Sequence, residues 1–421
     1  MSAQENAAQE VGARQKQAIL KLVAELEPQV EAAIPPELAQ RLSKLYMTGC
    51  GDSFFAANAV RHFFERHVRL PVEPIESMEF SRYAVDAMPA DALVVGISYG
   101  GKVSRTIEAV ARARRRGAYT IAATGFGERA AAREAHVAVV GGLPGIRQVV
   151  DRLDAALADK KLSRAELLGE LSKPGAAQRL AETLGIHGGM HLALVGMGAF
   201  LTSALALYLI GLRLGTLRGR LSAGQAAALK QEMLSFADIQ THSIERNLET
   251  SRQLAQAFKG LHHFTFLGSG PSFAAAQFSA AKLFEQPHLN GVAQYIEEWA
   301  HLQLFYTRPQ TTVVFFIVPP GRSRDRAMEQ MLGAKALGAT LVAICDSEDQ
   351  ELAKLADWAA PICGQLAEEF SPLAYIVPGQ LFAFASLELR GQPPIPPPYS
   401  FQQMMEVNYK LIYASPIRTE D

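Results

Sequence analysis

One stretch of the sequence, residues 98–106, combines the residue types that bind an anion. It reads Ser-Tyr-Gly-Gly-Lys-Val-Ser-Arg-Thr and directly follows the apolar run at residues 92–98, which predicts a buried strand. Open α/β sheets bind ligands at the carboxyl ends of their strands, so hydroxyls, free backbone amides and two cations should converge there. The predicted anion-binding residues are Ser98, Tyr99, Gly100, Gly101, Lys102, Ser104, Arg105 and Thr106. The alternative is an ordinary polar turn with a helix cap at Ser104.

Glycine turns followed by a serine occur twice. Residues 49–53 read Gly-Cys-Gly-Asp-Ser and residues 268–272 read Gly-Ser-Gly-Pro-Ser, each after a short apolar run. Small residues let the backbone approach a ligand, and the helix that follows presents free N–H groups to an anion. Gly51, Ser53 and Ser272 are therefore candidate binding residues. Such a turn alone is weak evidence, because many strand-to-helix connections need one.

The elements around these segments alternate between strands and helices, which predicts parallel, doubly wound sheets. Apolar runs predict strands at residues 45–49, 71–75, 92–98, 119–124 and 136–140, and again at 263–267, 312–318, 340–345 and 358–362. Helical spacing predicts helices at residues 13–44, where the pattern ends at Pro35-Pro36, and at 53–66, 104–116, 272–284 and 324–337. The apolar segment 192–214 predicts a buried strand at 192–196 followed by a core helix, rather than a membrane span.

The two halves of the chain repeat each other. The turn at residues 49–53 matches the turn at 268–272, and Glu79 matches Glu298, each at a separation of 219 positions. Two consecutive copies of a fold are expected to pack about a pseudo-twofold axis, with a cleft between them as a natural site. We expect a helical segment at 1–40, a first domain at 41–185, an inter-domain strand and helices at 186–255, a second domain at 256–392 and a tail over the active site at 393–421.

The bulk composition excludes several classes of protein. With 41 basic and 42 acidic side chains the net charge is −1, so no overall field draws the chain to nucleic acid or to anionic lipid. Three cysteines, Cys50, Cys345 and Cys363, lie in or beside apolar runs, which indicates buried thiols in a cytoplasmic protein; a cysteine nucleophile is the less favoured alternative. The histidines form no convincing metal-ligand set, and residues 268–270 lack the third glycine of a dinucleotide site, so neither a metal nor a nucleotide cofactor is expected.

The glycine turn and the loop after the third strand, each present twice, resemble the sugar isomerase (SIS) domain family. The tandem arrangement resembles the isomerase half of glucosamine-6-phosphate synthase and the related ketosamine deglycases and amino-sugar-phosphate deaminases, over residues 40–415. The resemblance implies two SIS domains related by a pseudo-twofold axis, each an α/β, flavodoxin-like unit with a doubly wound sheet of five parallel strands flanked by helices. The glutaminase domain of that family has no counterpart in the sequence, so glutamine-driven amide transfer is not expected.

The anion loop departs from the family pattern. The family's phosphate loop reads approximately Ser-Gln-Ser-Gly-Glu-Thr, and residues 98–103 match it as Ser-Tyr-Gly-Gly-Lys-Val, so two hydroxyls are lost and one lysine is gained. A 6-phosphate is the leading head group for the substrate, and a sulfonate is the alternative. The matching segment of the second half, residues 319–323, reads Pro-Pro-Gly-Arg-Ser and is a poor oxyanion cradle, so the two halves are expected to differ.

The resemblance assigns the acid–base residues to the second half. Residues 280–285 resemble the family helix whose final glutamate moves a proton between adjacent sugar carbons, which makes Glu285 the candidate base. Residues 297–301 resemble the family's Glu-Leu-Lys-His, with Glu298 and His301 retained. In relatives this histidine comes from the neighbouring subunit and helps to open the sugar ring, work that suits a group titrating near neutral pH. The resemblance therefore implies a homodimer or a larger homo-oligomer.

The end of the chain, residues 408–417, resembles the family's closing segment, which places a lysine over the sugar carbonyl. Lys410 lies one helical turn before the position of that lysine, so its reach to the sugar is left open. Without a lysine at the carbonyl, plain enediol or enediolamine proton transfer is favoured over a Schiff-base route. The proline-rich residues 393–398 form a stiff spacer that could carry the tail across to the site.

Three functions fit these residues. The first is an aldose–ketose isomerase that moves a proton between C1 and C2 of an anionic sugar, with no nucleic-acid or membrane partner. The second is an amino-sugar-phosphate deaminase or ketosamine-phosphate deglycase, which shares that proton transfer. The third is a non-catalytic sugar-phosphate sensor, for which the sequence offers neither a basic arm nor a helix-turn-helix segment. The retained Glu285 and His301 favour an enzyme.

Overall fold

Two five-stranded parallel sheets form the framework of the chain, in a computed structural model that describes residues 3–143, 190–390 and 401–419. The first sheet has the strand order β2-β1-β3-β4-β5, and the second has the equivalent order β7-β6-β8-β9-β10. The strands are β1 (Leu45–Gly49), β2 (Val72–Glu76), β3 (Leu93–Ile97), β4 (Tyr119–Thr124), β5 (Val137–Val140), β6 (His263–Gly268), β7 (Asn290–Tyr295), β8 (Val313–Val318), β9 (Thr340–Cys345) and β10 (Trp358–Ala359). This is the flavodoxin-like, doubly wound order in two copies, and it confirms the predicted fold class.

Helices flank both sheets and link the two halves. Their bounds are α1 (Ala3–Ala33), α2 (Pro36–Arg41), α3 (Asp52–Phe63), α4 (Ser77–Arg82), α5 (Ser104–Arg115), α6 (Ala130–Glu134), α7 (Met190–Leu217), α8 (Ala223–Leu234), α9 (Phe236–Ala257), α10 (Ser272–Glu285), α11 (Ile296–His301), α12 (Arg324–Ala336), α13 (Gln350–Leu355), α14 (Pro372–Tyr375), α15 (Val377–Arg390) and α16 (Phe401–Ile412). Helices α3 and α10, which each follow a glycine turn, pack against one another between the sheets.

The register of the strands places the two predicted binding segments side by side. All residues of β1 and β3 are buried, as expected for strands covered on both faces. β1 and β3 are neighbours, and their pairing sets Thr48 opposite Gly96. The turn at 49–53 and the loop that begins at Ser98 therefore leave the same edge of the first sheet.

A single hydrogen bond marks the symmetry between the halves. Asn58 of α3 donates from Nδ2 to Oε1 of Gln277 of α10 at 2.9 Å, and these two residues are separated by 219 positions. They therefore occupy equivalent positions in the two copies. Residues that contact their own counterparts lie on a twofold axis, so this pair places the pseudo-twofold axis between α3 and α10.

The predicted strand at 192–196 is wrong, because α7 is helical from Met190 to Leu217. A continuous apolar run does not distinguish a buried strand from a helix that is buried on all sides, and only its length favours the helix. In the described part of the chain, residues 197–217 and 372–390 are helical segments long and apolar enough to cross a membrane. Burial inside the protein of 89% and 78% of their apolar windows accounts for that composition.

Some predicted boundaries lie outside the described residues. These are the helices expected between 150 and 189, the domain boundaries at 185 and 392, and the proline-rich spacer at 393–398. The N-terminal helix begins earlier than predicted and ends at Ala33, and the short α2 follows it, because Pro35 and Pro36 interrupt the helical hydrogen bonding.

Candidate active site at the domain interface

The loop after β3 is held in a shape that leaves a hydroxyl for a ligand. Gly101 adopts a positive φ of 62° and its amide donates to the Ser98 carbonyl at 2.9 Å, which closes a tight turn. Ser98 is only 2% exposed, and its Oγ makes no hydrogen bond with the described residues. A buried, unsatisfied hydroxyl costs free energy unless something binds it. Its position at the carboxyl end of β3 fits the predicted anion site.

A cation that the sequence did not point to supports the same loop. Arg129, just before α6, donates from Nη1 to the Gly100 carbonyl at 2.9 Å. Its guanidinium lies over the Phe126 ring, 3.5 Å from the ring centroid. Sequence inspection missed it because it follows β4, about a full strand–helix unit away from the loop. Arg129 adds positive charge beside the anion loop.

The remaining predicted loop residues divide into exposed and buried groups. Lys102 is exposed, and Tyr99 and Ser104 are buried. Thr106 is also buried, and its hydroxyl bonds to the Ser77 hydroxyl at 3.0 Å. At the neighbouring turn Gly51 precedes the first residue of α3, and Ser53 is buried on that helix. The structure thus brings these first-half candidates to one edge of the sheet, although Thr106 already has a protein partner.

Arg105 has a different environment from the one predicted. Its Nη1 donates to Oε2 of the buried Glu108 at 2.7 Å, and its Nη2 donates to the Ser415 hydroxyl at 3.2 Å and to the Pro416 carbonyl. The guanidinium therefore ties α5 to the C-terminal tail. Its role as an anion ligand stays a prediction.

Glu108 is the centre of this tail attachment. Besides Arg105, it accepts hydrogen bonds from Arg82 Nε at 2.5 Å, from the Ser81 hydroxyl at 3.2 Å and from the Arg418 backbone amide at 2.6 Å. Burial disfavours the charged carboxylate, but the Arg418 amide and the two guanidinium groups outweigh it, so the pKa of Glu108 lies below its usual value. One buried carboxylate thus joins α4, α5 and the tail.

Acidification should release the tail through Glu108. A lowered pKa in the folded state means that Glu108 stabilises the fold at pH above its unfolded pKa, and that this stabilisation is lost as pH falls through the folded pKa. We expect the hydrogen-exchange protection factors of residues 413–419, taken relative to the intrinsic exchange rate at each pH, to be high at pH 7 and to fall below about pH 4.5, the ordinary value for glutamate. Glu108→Gln should show low protection factors at both pH values, and equal protection in the variant and the wild type would contradict this role.

A chain of three charges crosses the interface between the two domains. Lys282 of α10 is 3% exposed and donates to Glu285 Oε2 at 2.7 Å and to Asp52 Oδ2 at 2.8 Å. Asp52 is the first residue of α3 and follows the glycine turn of the first domain. Neither Lys282 nor Asp52 was a predicted site residue. Their contacts place Glu285 beside the first glycine turn, at the sheet edge that also carries the anion loop.

The charges around Glu285 suit a proton acceptor. Partial loss of water at the domain interface raises the pKa of Glu285 although much of the side chain is exposed, the Asp52 carboxylate raises it further, and the Lys282 ammonium opposes both, with a net upward shift. Burial disfavours the Lys282 ammonium, but the two carboxylates outweigh it and its pKa is raised, so Lys282 stays charged at neutral pH. The Glu285 side chain keeps 53% of its surface exposed, so a substrate can reach it.

The other acid–base candidates lie apart from Glu285 within one chain. Glu298 and His301 are exposed on α11, and the His301 side chain is 66% exposed. His301 Nε2 is 3.5 Å from Glu297, whose carboxylate also binds Arg326. In the described residues no hydrogen bond or ion pair joins His301 to Glu285. The structure therefore does not assemble these two residues within a single subunit.

Lys410 is likewise exposed, on α16, and makes no hydrogen bond or ion pair with the part of the chain that the structure describes. The residues that follow it attach to α5, through Arg105 and Glu108 as above, and through Arg115 Nη1, which donates to the Thr419 carbonyl at 2.8 Å. The tail thus runs along α5 of the first domain, from Arg105 near the start of the helix to Arg115 at its end. The role of Lys410 at the sugar stays a prediction.

In the second half, contacts within the protein fill the position that corresponds to the anion site. The Ser272 hydroxyl is fully buried and bonds to the carbonyls of Ser269 and Ile317, each at 3.0 Å, so it braces the glycine turn against β8. The Glu368 carboxylate accepts a hydrogen bond from the Arg322 amide at 3.3 Å, where the first half would receive an anion. A carboxylate of the protein itself thus occupies the second loop.

The cysteines are poor candidates for a nucleophile. Cys50 lies in the first glycine turn, but burial raises its pKa to about 11, and its thiol donates to Glu76 Oε1 at 3.1 Å. Burial likewise raises the pKa of Cys345 to about 12. A protonated thiol is a weak nucleophile, so thiolate chemistry is not supported at these positions.

Residues 37–140 and 259–387, more than half of the chain, match the SIS domain family. The chain therefore belongs to the SIS domain family, with one match in each half, as the repeated turn and loop predicted. It is similar to glutamine–fructose-6-phosphate aminotransferase (isomerizing) of Clostridium tetani, with 23% identity over 356 residues that cover 84% of this chain and 50% of the relative. The chain spans about half the length of the curated relatives it matches.

Solved structures show the same fold. The C-terminal domain of glucosamine-fructose-6-phosphate aminotransferase from Francisella tularensis superimposes with a TM-score of 0.66 at 17% identity, covering 90% of this chain and 98% of that one. Glucosamine-6-phosphate deaminase from Thermotoga maritima superimposes with a TM-score of 0.56 at 17% identity, covering 91% and 98%. At these identities the similarity establishes a shared architecture.

Proposed function

We propose that the chain is an enzyme, an aldose–ketose isomerase for a sugar with an anionic head group, with a 6-phosphate as the first candidate. The observation that supports it most is the position of Glu285. The Lys282 bridge to Asp52 places this carboxylate of the second domain beside the glycine turn of the first. The register of β1 and β3 brings the anion loop to the same edge. One bound sugar can therefore meet both.

Each residue has a role in this mechanism. Ser98, the loop amides and Lys102 bind the anionic head group, with Arg129 contributing charge from behind the loop. The Glu285 carboxylate removes the proton from C2, the electron pair of the broken C–H bond forms the C1–C2 double bond, and the carbonyl π electrons move to O1 to give an enediolate. The C2 hydroxyl proton passes to O1, so that O2 becomes the carbonyl oxygen of the ketose. The same carboxyl group returns the proton to the neighbouring carbon, so the reaction needs no net source of protons.

Proton exchange in deuterated water tests this function. Incubating the protein with a panel of sugar phosphates and sugar sulfonates should incorporate deuterium at C2 of the substrate, together with ketose formation. Release of ammonia from an amino-sugar phosphate would instead support the deaminase. Thermal stabilisation by a sugar phosphate without any exchange would support the sensor. Absence of both exchange and stabilisation across the panel would refute the proposal.

We further propose that two copies of the chain form a homodimer, which completes the site with His301. The segment 295–306, which contains His301, exposes four large apolar side chains, Tyr295, Leu302, Phe305 and Tyr306, of which Phe305 is 74% exposed. Exposed apolar patches of this kind mark interaction surfaces. A twofold dimer would bury this surface on both subunits and bring His301 to a site from outside its own chain.

The free state of the three cysteines is consistent with a cytoplasmic location.

Mixing two inactive variants tests this arrangement. Glu285→Gln and His301→Asn should each be inactive alone, but a mixed dimer would contain one site with both native residues. Random reassociation of equal amounts should then restore about a quarter of wild-type turnover, because half of the dimers are mixed and each has one intact site. No recovery, with mixed dimers present by mass spectrometry, would show that His301 does not act across subunits.

Phe305→Asp, which places a charge in the exposed apolar segment, should yield monomers in analytical ultracentrifugation.

A further inference from the structure

The ion bridge between the domains contains a lysine that is almost excluded from water. Lys282 is 3% exposed and lies between carboxylates of two different domains, at 2.8 Å from Asp52 and 2.7 Å from Glu285. A charge in such a place is costly, and replacement of buried ion pairs by apolar side chains is often neutral or stabilising. Stability alone is therefore a weak reason for these three residues.

The pseudo-symmetric end of the same helix pair has an apolar residue at the position of the buried lysine. The separation of 219 positions places Phe63 at the counterpart of Lys282, and Pro271 at the counterpart of Asp52. There the Phe63 ring packs on Tyr208 and Phe370, with ring centroids 5.3 and 5.7 Å away. The counterpart of Glu285, Arg66, pairs with Glu369 at 3.2 Å, so that end carries an ion pair of its own. The buried lysine between two carboxylates occurs at the end that carries the anion loop and Glu285.

Asp52 keeps an acceptor that the protein leaves unused. Its Oδ2 accepts the hydrogen bond from Lys282, whereas its Oδ1 is buried and accepts no hydrogen bond from the described residues. With one ammonium between two carboxylates, the bridge carries a net charge of −1. The negative charge of Asp52 is therefore only partly compensated, and it acts on Glu285 through a poorly hydrated interface.

We propose that Asp52 is a positioning residue for Glu285: by holding the Lys282 ammonium from the opposite domain, it fixes the Glu285 carboxylate and strengthens it as a proton acceptor. This inference rests on the proposed function, in which Glu285 moves the proton. The base on the second domain then has its full strength only when the first domain supplies Asp52. Domain contact and proton transfer are thereby linked.

The charges that face Glu285 determine whether its pKa rises or falls when Asp52 loses its charge. On its own helix the facing charge is Lys282, which lowers the pKa of Glu285, and on α3 it is Asp52, which raises it. From α15, Gln380 contributes a neutral amide to the neighbouring Gln286. Removing the charge of Asp52 leaves only the positive charge of Lys282 to act on Glu285. The pKa of Glu285 then falls, and the carboxylate becomes a weaker base.

Asp52→Asn is the direct test, because asparagine keeps the shape and the acceptor for Lys282 while removing the charge. The acid limb of the kcat–pH profile should move down by about one pH unit. At the pH optimum kcat should fall about threefold while KM changes less than about twofold, since the effect is on the strength of the base and not on sugar binding. Asp86→Asn, a surface carboxylate of the first domain paired with Arg116, is the matched control and should leave the profile unchanged.

A purely structural role for Asp52 predicts a different result: a lower melting temperature, fewer active molecules and an unmoved acid limb. That outcome would overturn the inference. If Asp52→Asn folds poorly, Asp52→Ser, with a residue favoured at helix starts, provides a second neutral variant.

Carboxyl NMR separates failure of this inference from failure of the proposed function. The ¹³C titration of Glu285 in the ligand-free protein, assigned with Glu285→Gln, requires no substrate. A lower pKa of Glu285 in Asp52→Asn than in the wild type would support the electrostatic link even if no sugar were turned over. An equal pKa in the two proteins would refute the link even if the isomerase activity were established.

Discussion

Glu285→Gln is expected to lower turnover by about 10²- to 10⁴-fold, the contribution typical of a general acid–base group. Glutamine has the size of glutamate and can still accept the hydrogen bond from Lys282 Nζ, so the bridge to Asp52 should persist. It cannot accept a proton, so exchange at C2 should stop. Affinity for the anionic sugar should stay within a few fold, because the head group binds to the loop after β3. Deuterium incorporation and thermal-shift titration measure the two effects separately.

The matched control for this variant is Glu249→Gln, which removes a carboxylate from an exposed position on α9. It should retain full turnover and the wild-type melting temperature, since exposed charges contribute little to stability. Full activity of Glu285→Gln would remove Glu285 from the mechanism. Loss of sugar binding together with turnover would indicate that the carboxylate holds the substrate instead.

The fold could be predicted from the sequence because the patterns that specify it are local and occur twice. Apolar runs of strand length alternate with helical spacing, and the turns at 49–53 and 268–272 recur at the same separation, which is enough to predict two copies of one parallel sheet. The prediction of a strand at 192–196 was wrong because α7 is apolar on every side, so its sequence shows no hydrophobic periodicity that would identify a helix. Tertiary burial, which a single sequence does not display, decides between helix and strand in such a segment.

The candidate site could be predicted only in part from the sequence, because several of its contacts join residues that are far apart along the chain. Glu285 could be proposed from its helix, but its partner Asp52 lies 230 positions from Lys282, so their contact exists only once α3 and α10 pack. Arg129 follows the carboxyl end of β4, and its contact with Gly100 of the anion loop likewise exists only once β3 and β4 pair. The contact between Arg105 and Glu108, in contrast, is an i,i+3 pair within one helix, a spacing that sequence inspection could have identified.

Ser98→Ala is expected to have opposite effects on stability and on substrate affinity. The Ser98 hydroxyl is buried without a partner among the described residues, so replacing it by a methyl group should leave the free energy of unfolding unchanged or slightly raise it. The same change removes a hydrogen bond to the anionic head group. KM should then rise about tenfold, the size expected for one hydrogen bond to a charged group.

Ser243→Ala is the matched control, because the Ser243 hydroxyl is also buried but accepts a hydrogen bond from the Cys363 amide at 2.9 Å. It should lower the free energy of unfolding by about 1 kcal/mol and leave KM unchanged. Urea denaturation and steady-state kinetics on both variants give the comparison. A destabilised Ser98→Ala with unaltered KM would mean that the hydroxyl serves the fold, and the anion site would have to lie elsewhere along the sheet edge.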